Sequence, residues 1–179
     1  MQDTVRSWEE LSREEVFRKY GRVIEKVMFR LPDGRETDFY LQGGHDPICC
    51  LPMTKDGKVI LVRQYRPGPA KIVLDLPGGS AKEGETPEAA MARELLEETG
   101  YRGTLRYVAT LLVDAYATSR RHAFVVTECE KVAEPLLEDE GERVEAVLMT
   151  LPEFREHLRS GQLNDIDVGY LGLDYLGLL

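Results

Sequence analysis

The stretch Leu76–Tyr101, LPGGSAKEGETPEAAMARELLEETGY, decides how the chain is read. An apolar segment ends at Gly78-Gly79, where backbone without side chains can come close to a ligand. Thr86 has the chemistry of an N-cap, Pro87 suits the first helical position and Glu88 the first turn. Gly100 supplies the stop. The spacing therefore predicts a helix over 87–99. At about 100° per residue, Ala92, Leu95, Leu96 and Thr99 share one face. Glu94, Glu97 and Glu98 fall on the opposite face, where neighbours at i, i+3 and i+4 lie about 5–6 Å apart at Cβ. Like charges so close repel one another, and Arg93 is the one basic residue of the helix. Two readings follow: a solvated acidic face, or a set of hard oxygen donors suited to Mg²⁺ or Mn²⁺.

Outward from this helix, the chain alternates short apolar runs with turn residues. Residues 1–12 read as a helical lead-in. Residues 15–41 read as a hairpin turning at Asp33-Gly34. Strands are expected over 46–53, 58–65, 72–76, 105–114, 121–130 and 144–150, with helices over 152–159 and 165–179. In the last of these, Ile166, Tyr170, Leu173 and Leu176 or Leu178 have helical spacing, and its glycines count against it. Many strands around a few helices make the class α+β, or a mixed α/β sandwich, and exclude a doubly wound parallel sheet.

The 179 residues suit one domain with a real core, and 42% hydrophobic against 31% charged residues is ordinary for a globular protein. A net charge of −9 argues against non-specific nucleic-acid binding. No apolar run approaches the roughly 20 residues that span a bilayer. The acidic, polar start is no signal peptide, and three cysteines, two of them adjacent, make neither a disulfide framework nor a zinc spacing. A cytoplasmic location without a membrane partner is the expectation.

Gly79, Glu85, Arg93-Glu94-Leu95, Glu97-Glu98 and Gly100-Tyr101, at these intervals, match the Nudix box at every fixed position, with Tyr101 where an aliphatic residue is more usual. The chain thus resembles the Nudix hydrolases, and VRQYRPG followed by LDLPGG resembles their ADP-ribose pyrophosphatase group. The resemblance implies a Nudix-type α/β/α sandwich with a mixed sheet over 45–179. It also implies an N-terminal extension over 1–44 that forms a homodimer. It implies Mg²⁺-dependent hydrolysis (Mn²⁺ as substitute) of a nucleoside diphosphate sugar, ADP-ribose first. Glu94, Glu97 and Glu98 would be metal ligands, together with the Gly78 carbonyl. Arg93 would orient a box glutamate, Glu85 or Glu97. A downstream acidic loop would add Glu142, or alternatively Glu140, as a further ligand or base. Arg66, and less directly Arg63, would contact the phosphates, Arg through its fork of donors.

The group's usual proline some 15 residues past the box is missing, and Asp114-Ala115-Tyr116-Ala117 stands there. Tyr116 could stack on a base or sugar, and it also suits a dinucleoside polyphosphate or nucleoside triphosphate hydrolase. Ser119-Arg120-Arg121-His122 reads either as a contact to the distal part of the substrate or as a loop rim; His122 has no companion at ligand spacing. A nucleotide-sugar sensor without turnover is the reading from a different class, against which the intact box speaks.

Overall fold

A computed structural model describes residues 5–136 and 143–179. The chain forms two compact units, Met1–Asp46 with Leu112–Arg120, and Pro47–Leu111 with Arg121–Leu179.

The first unit is an antiparallel meander of β1 (Glu9–Lys19), β2 (Arg22–Arg30) and β3 (Glu36–Gly44), in the order β1-β2-β3. The hairpin expected at Asp33-Gly34 joins β2 to β3, with Gly34 at φ 88°. The helical lead-in is corrected: from Glu9 onward the chain is strand, paired with β2 from Glu9↔Arg30 to Lys19↔Arg22. Its turn is Tyr20-Gly21, with φ of 50° and 71°, the left-handed pair that a two-residue hairpin needs. A cross-strand ion pair, Arg13 to Glu25 at 2.6 Å, helps to hold β1. The segment Leu112–Arg120 docks on β3: Gln42 N–H donates to the Tyr116 carbonyl and Thr118 N–H to the Gln42 carbonyl, both at 2.8 Å.

The second unit holds β4 (Pro47–Thr54), β5 (Val59–Arg66), β6 (Lys71–Asp75), β7 (Gly78–Ser80), α1 (Pro87–Thr99), β8 (Tyr101–Leu112), β9 (Arg120–Lys131), β10 (Val144–Met149), α2 (Leu151–Arg159) and α3 (Ile166–Tyr175). Its sheet runs β10-β5-β4-β9-β8, with β6 on β5 and β7 on β4. The β4–β9 pairing is parallel and the β5, β6, β7 and β10 pairings are antiparallel, so the sheet is mixed. β4 shows why this is a sandwich. Ile48 and Cys50 pack with Ala90, Met91 and Leu95 of α1, while Cys49, Leu51 and Met53 pack with Phe154 and Leu158 of α2 and Val168 and Leu173 of α3. Alternate side chains of one strand thus enter two cores, and helices cover both faces of the sheet.

The expected apolar face of the last helix holds at Leu173, which is buried, and at Ile166, Leu176 and Leu178, which pack against the core, and is corrected at Tyr170. Tyr170 is exposed, and Val168, Gly169, Gly172 and Leu173 are buried. A Cβ on Gly172 would lie 2.7 Å from Leu51 Cδ2. The glycines that count against a helix by propensity are where this helix meets the sheet.

Candidate active site

β6 runs out at Asp75, and Leu76 drops into the core. The Pro77 carbonyl accepts from Cys50 N–H at 3.1 Å, and β7 then zips onto β4 with Gly78 opposite Cys49. A Cβ on Gly78 would lie 3.1 Å from Cys49 Cα and closer still to the Ile48 carbonyl oxygen, so only glycine lets the strands come together here. The Gly78 N–H turns away from β4 and donates to Glu98 Oε2 at 2.9 Å.

α1 begins and ends where its residues predict. Thr86 Oγ1 accepts from Ala89 N–H at 3.2 Å, and Gly100 closes the helix at φ 76°. The side that faces the sheet differs from the expected one. Ala90, Met91, Leu95 and Thr99 are buried, whereas Ala92 is exposed and Leu96 half-buried. This stripe runs from Ala90 through Met91 and Leu95 to Thr99, and Glu94 and Glu98, at i+3 and i+7 from Met91, lie within its span, between Ala90 and Met91, rather than opposite. The acidic side is therefore turned to the Gly78-Gly79 backbone. A Cβ on Gly79 would lie 2.8 Å from Glu94 Oε2 and closer still to Glu94 Cδ and Oε1.

Arg93 binds the glutamates together. Its Nε and Nη2 reach the two oxygens of Glu85 at 3.0 Å each, Nη1 reaches Glu94 at 2.9 Å and Glu97 at 2.8 Å, and Nη2 also donates to the Ser80 carbonyl at 3.1 Å. These four side chains are only 17–19% exposed, so the acidic set is not a solvated face. The Arg93 fork on Glu85, with a further hydrogen bond from Lys82 N–H, holds the Glu85 carboxyl down at about 2. Glu94 goes the other way: burial raises it, against the pull of Arg93. Burial is the larger effect, and the neighbouring Glu97 charge adds to it.

The donor set fits a hard divalent cation in kind, since it offers half-buried carboxylate oxygens beside bare glycine backbone. As the side chains stand, Arg93 engages Glu94 and Glu97. Among the described residues no group of three or more His, Cys, Asp or Glu side chains is arranged to hold an ion.

The remaining expected residues lie as follows. Arg66, at the end of β5, places Nε 3.2 Å from Asp75 Oδ2, and Arg63 pairs with Glu145 at 3.0 Å. Tyr116 belongs to the first unit and stacks on Phe39, with centroids 6.1 Å apart and planes 22° apart. Arg121 is held by Asp165 at 3.2 Å and Asp167 at 2.9 Å, and His122 Nδ1 lies 3.0 Å from Thr110 Oγ1. Glu140 and Glu142 lie outside the described residues. Two residues beside Arg66 carried no role in the sequence reading: Asp75, fully buried, and Asn164, which donates to it from both N and Nδ2 at 3.2 and 2.8 Å. The signal for Asp75 was there, a lone carboxylate in the apolar run KIVLDL.

Residues 44–166 match the NUDIX domain family. The chain is 29% identical over 172 residues to the ADP-ribose pyrophosphatase of Bacillus subtilis, covering 94% of this chain and 91% of that one. It is 27% identical over 161 residues to the methanol dehydrogenase activator of Bacillus methanolicus, covering 86% and 87%. A solved structure described as an ADP compounds hydrolase superposes with a TM-score of 0.79 at 22% identity, covering 98% of this chain and 99% of that one. At that identity the last likeness concerns the fold.

Proposed function

The chain belongs to the NUDIX domain family, and from that premise we propose that it hydrolyses the diphosphate bond of a nucleoside diphosphate sugar, ADP-ribose first, to a nucleoside monophosphate and a sugar phosphate. The observation that carries this reading is the half-buried carboxylate set of α1, turned onto the Gly78-Gly79 backbone and gathered by Arg93. The similarity to a protein called an ADP-ribose pyrophosphatase, over nearly the whole chain, supports the substrate.

In this reading Glu94, Glu97, Glu98 and the Gly78 carbonyl hold Mg²⁺, with Mn²⁺ as substitute. The ion would supply charge neutralisation of the diphosphate and activation of the attacking water. Arg93 orients Glu94 and Glu97 and keeps Glu85 ionised. Arg66 meets the diphosphate through its guanidinium, Arg63 lies further along the same strand, and Tyr116 offers a face to base or sugar. Glu142, or Glu140, takes the proton of the attacking water. We assign residues 1–44 to a dimerising extension and 45–179 to the catalytic domain, with a homodimer working in the cytoplasm. Among the described residues no helix is long and apolar enough to cross a membrane.

The test is turnover with Mg²⁺ on a panel of ADP-ribose, ADP-, UDP- and GDP-sugars, diadenosine polyphosphates and nucleoside triphosphates. Release of monophosphate fastest from ADP-ribose or another nucleotide sugar is expected. Preference for the polyphosphates or triphosphates would move the enzyme to that class, and binding without turnover would make it a sensor.

A further inference from the structure

Arg66 is held in an unusual way for a residue that is to meet a substrate. Its side chain is 40% exposed, yet its Nε is fixed 3.2 Å from Oδ2 of Asp75, a carboxylate with no exposed surface. Asp75 is itself fixed. Oδ1 accepts from Asn164 N–H at 3.2 Å, and Oδ2 accepts from Asn164 Nδ2 at 2.8 Å as well as from Arg66. Asn164 is anchored between buried Leu163 and the Asp165 cap of α3. A main-chain donor and a side-chain donor from one residue therefore set the plane of the carboxylate, and the carboxylate sets the guanidinium. A guanidinium has five N–H donors in a fixed fork. With Nε taken, the Nη1 and Nη2 end is left to project, and neither makes a hydrogen bond to a described residue. Asp75 also lies three residues ahead of Gly78, whose N–H meets Glu98, so one short segment carries both the arginine's anchor and the glutamate's.

We infer that Asp75, locked by Asn164, is a positioning residue that aims the Nη end of Arg66 at a phosphate of the nucleoside diphosphate, and so sets substrate affinity. The inference rests on the proposed reaction. Its physical basis is preorganisation: a long side chain already fixed in its bound geometry loses less freedom when it captures an anion. A plain structural staple between β6 and the α2–α3 connection would use the same hydrogen bonds, but it would have no reason to act through Arg66.

The experiment is a double-mutant cycle with full-length protein and ADP-ribose, reading KM, kcat and thermal midpoint for wild type, Asp75→Asn, Arg66→Ala and the double variant. The substitution removes the charge that Arg66 pairs with and sets an N–H against a donor whichever way the amide sits, at Arg66 and Asn164 Nδ2 or at the Asn164 N–H, so the hold on Arg66 is weakened. KM is expected to rise about tenfold in Asp75→Asn with kcat within about threefold, the pattern of lost uniform binding. In the Arg66→Ala background the same substitution should leave KM unchanged. Folded Asp75→Asn with wild-type KM, or the same rise with Arg66 absent, would overturn the inference while leaving the reaction standing. A wild type that turns over no panel member overturns both. If buried Asp75→Asn does not fold, Arg66→Lys on the exposed side of the pair decides. An ammonium has three donors but on one nitrogen, without the separate Nε and Nη ends that let the guanidinium bind Asp75 and a phosphate held apart, so its KM should rise toward that of Arg66→Ala, and a wild-type KM would count against the inference.

Discussion

Gly79→Ala separates the stability of this fold from its proposed activity. The added Cβ would meet the end of Glu94, within 2.8 Å of Oε2 and closer to Cδ and Oε1, and no backbone atom is among its nearest neighbours. The carboxylate must retreat by about 1 Å to reach ordinary contact, and it can, because it is the end of a flexible side chain. The retreat loosens the 2.9 Å contact with Arg93, a partly buried ion pair. That costs about 1 kcal/mol, or a fall in Tm of about 2–4 °C for a chain this long. The activity cost is larger, since a misplacement of about 1 Å at a reacting centre costs about 10²-fold. Gly78→Ala is the control: its Cβ meets the Ile48 carbonyl and Cys49 Cα, which are backbone and cannot give, so there the loss falls on folding. The assay is kcat/KM for ADP-ribose under Mg²⁺ titration beside thermal unfolding of both variants. A folded Gly79→Ala enzyme with near-wild-type kcat/KM would refute the view that the Glu94 position matters to catalysis.

Three further outcomes are expected. Glu98→Gln keeps an oxygen for the Gly78 N–H, so Tm should hold while kcat falls by about 10²-fold or more, measured by monophosphate release. Gly172→Ala gains helix propensity of about 1 kcal/mol but pushes a Cβ to 2.7 Å from Leu51 Cδ2 in a closed core. Overpacking of about 1–3 kcal/mol wins, and calorimetry should show a Tm lower by about 2–4 °C. Glu85 is held at about 2 in the folded chain against 4.5 ordinarily. The unfolded chain therefore binds the extra proton, and this contribution is full above pH 4.5 and lost as pH falls toward 2. Stability of Glu85→Gln, followed by urea unfolding from pH 5 to 2, should fall less steeply than that of the wild type.

What could be read from the residues was local. Thr86, Pro87 and Gly100 fix α1 through caps that involve only near neighbours, and the structure places its ends at Pro87 and Thr99. β1 was not legible, because its strand state comes from pairing with β2 rather than from its own mostly exposed side chains. The apolar periodicity of α1 was read as one side, Ala92, Leu95, Leu96 and Thr99; Leu95 and Thr99 are buried, but packing on the sheet takes Ala90 and Met91 with them in place of Ala92 and Leu96. That packing decides whether Glu94 and Glu98 face water or the glycine turn. The family resemblance implied a pairing of Arg93 with Glu85 or Glu97; the side chain meets both, and Glu94 as well. The Asp75–Asn164 contact joins positions 89 apart in the chain, and no local pattern announces it.

The most direct measurement is phosphorus NMR of ADP-ribose incubated with the protein and Mg²⁺, then repeated with a chelator in excess. Metal-dependent hydrolysis of the diphosphate bond requires that the diphosphate resonances give way to two monophosphate resonances of equal area, those of AMP and ribose 5-phosphate, and that the chelator stops the change. Diphosphate resonances that persist with Mg²⁺ present, or that vanish equally fast with the chelator, would contradict it.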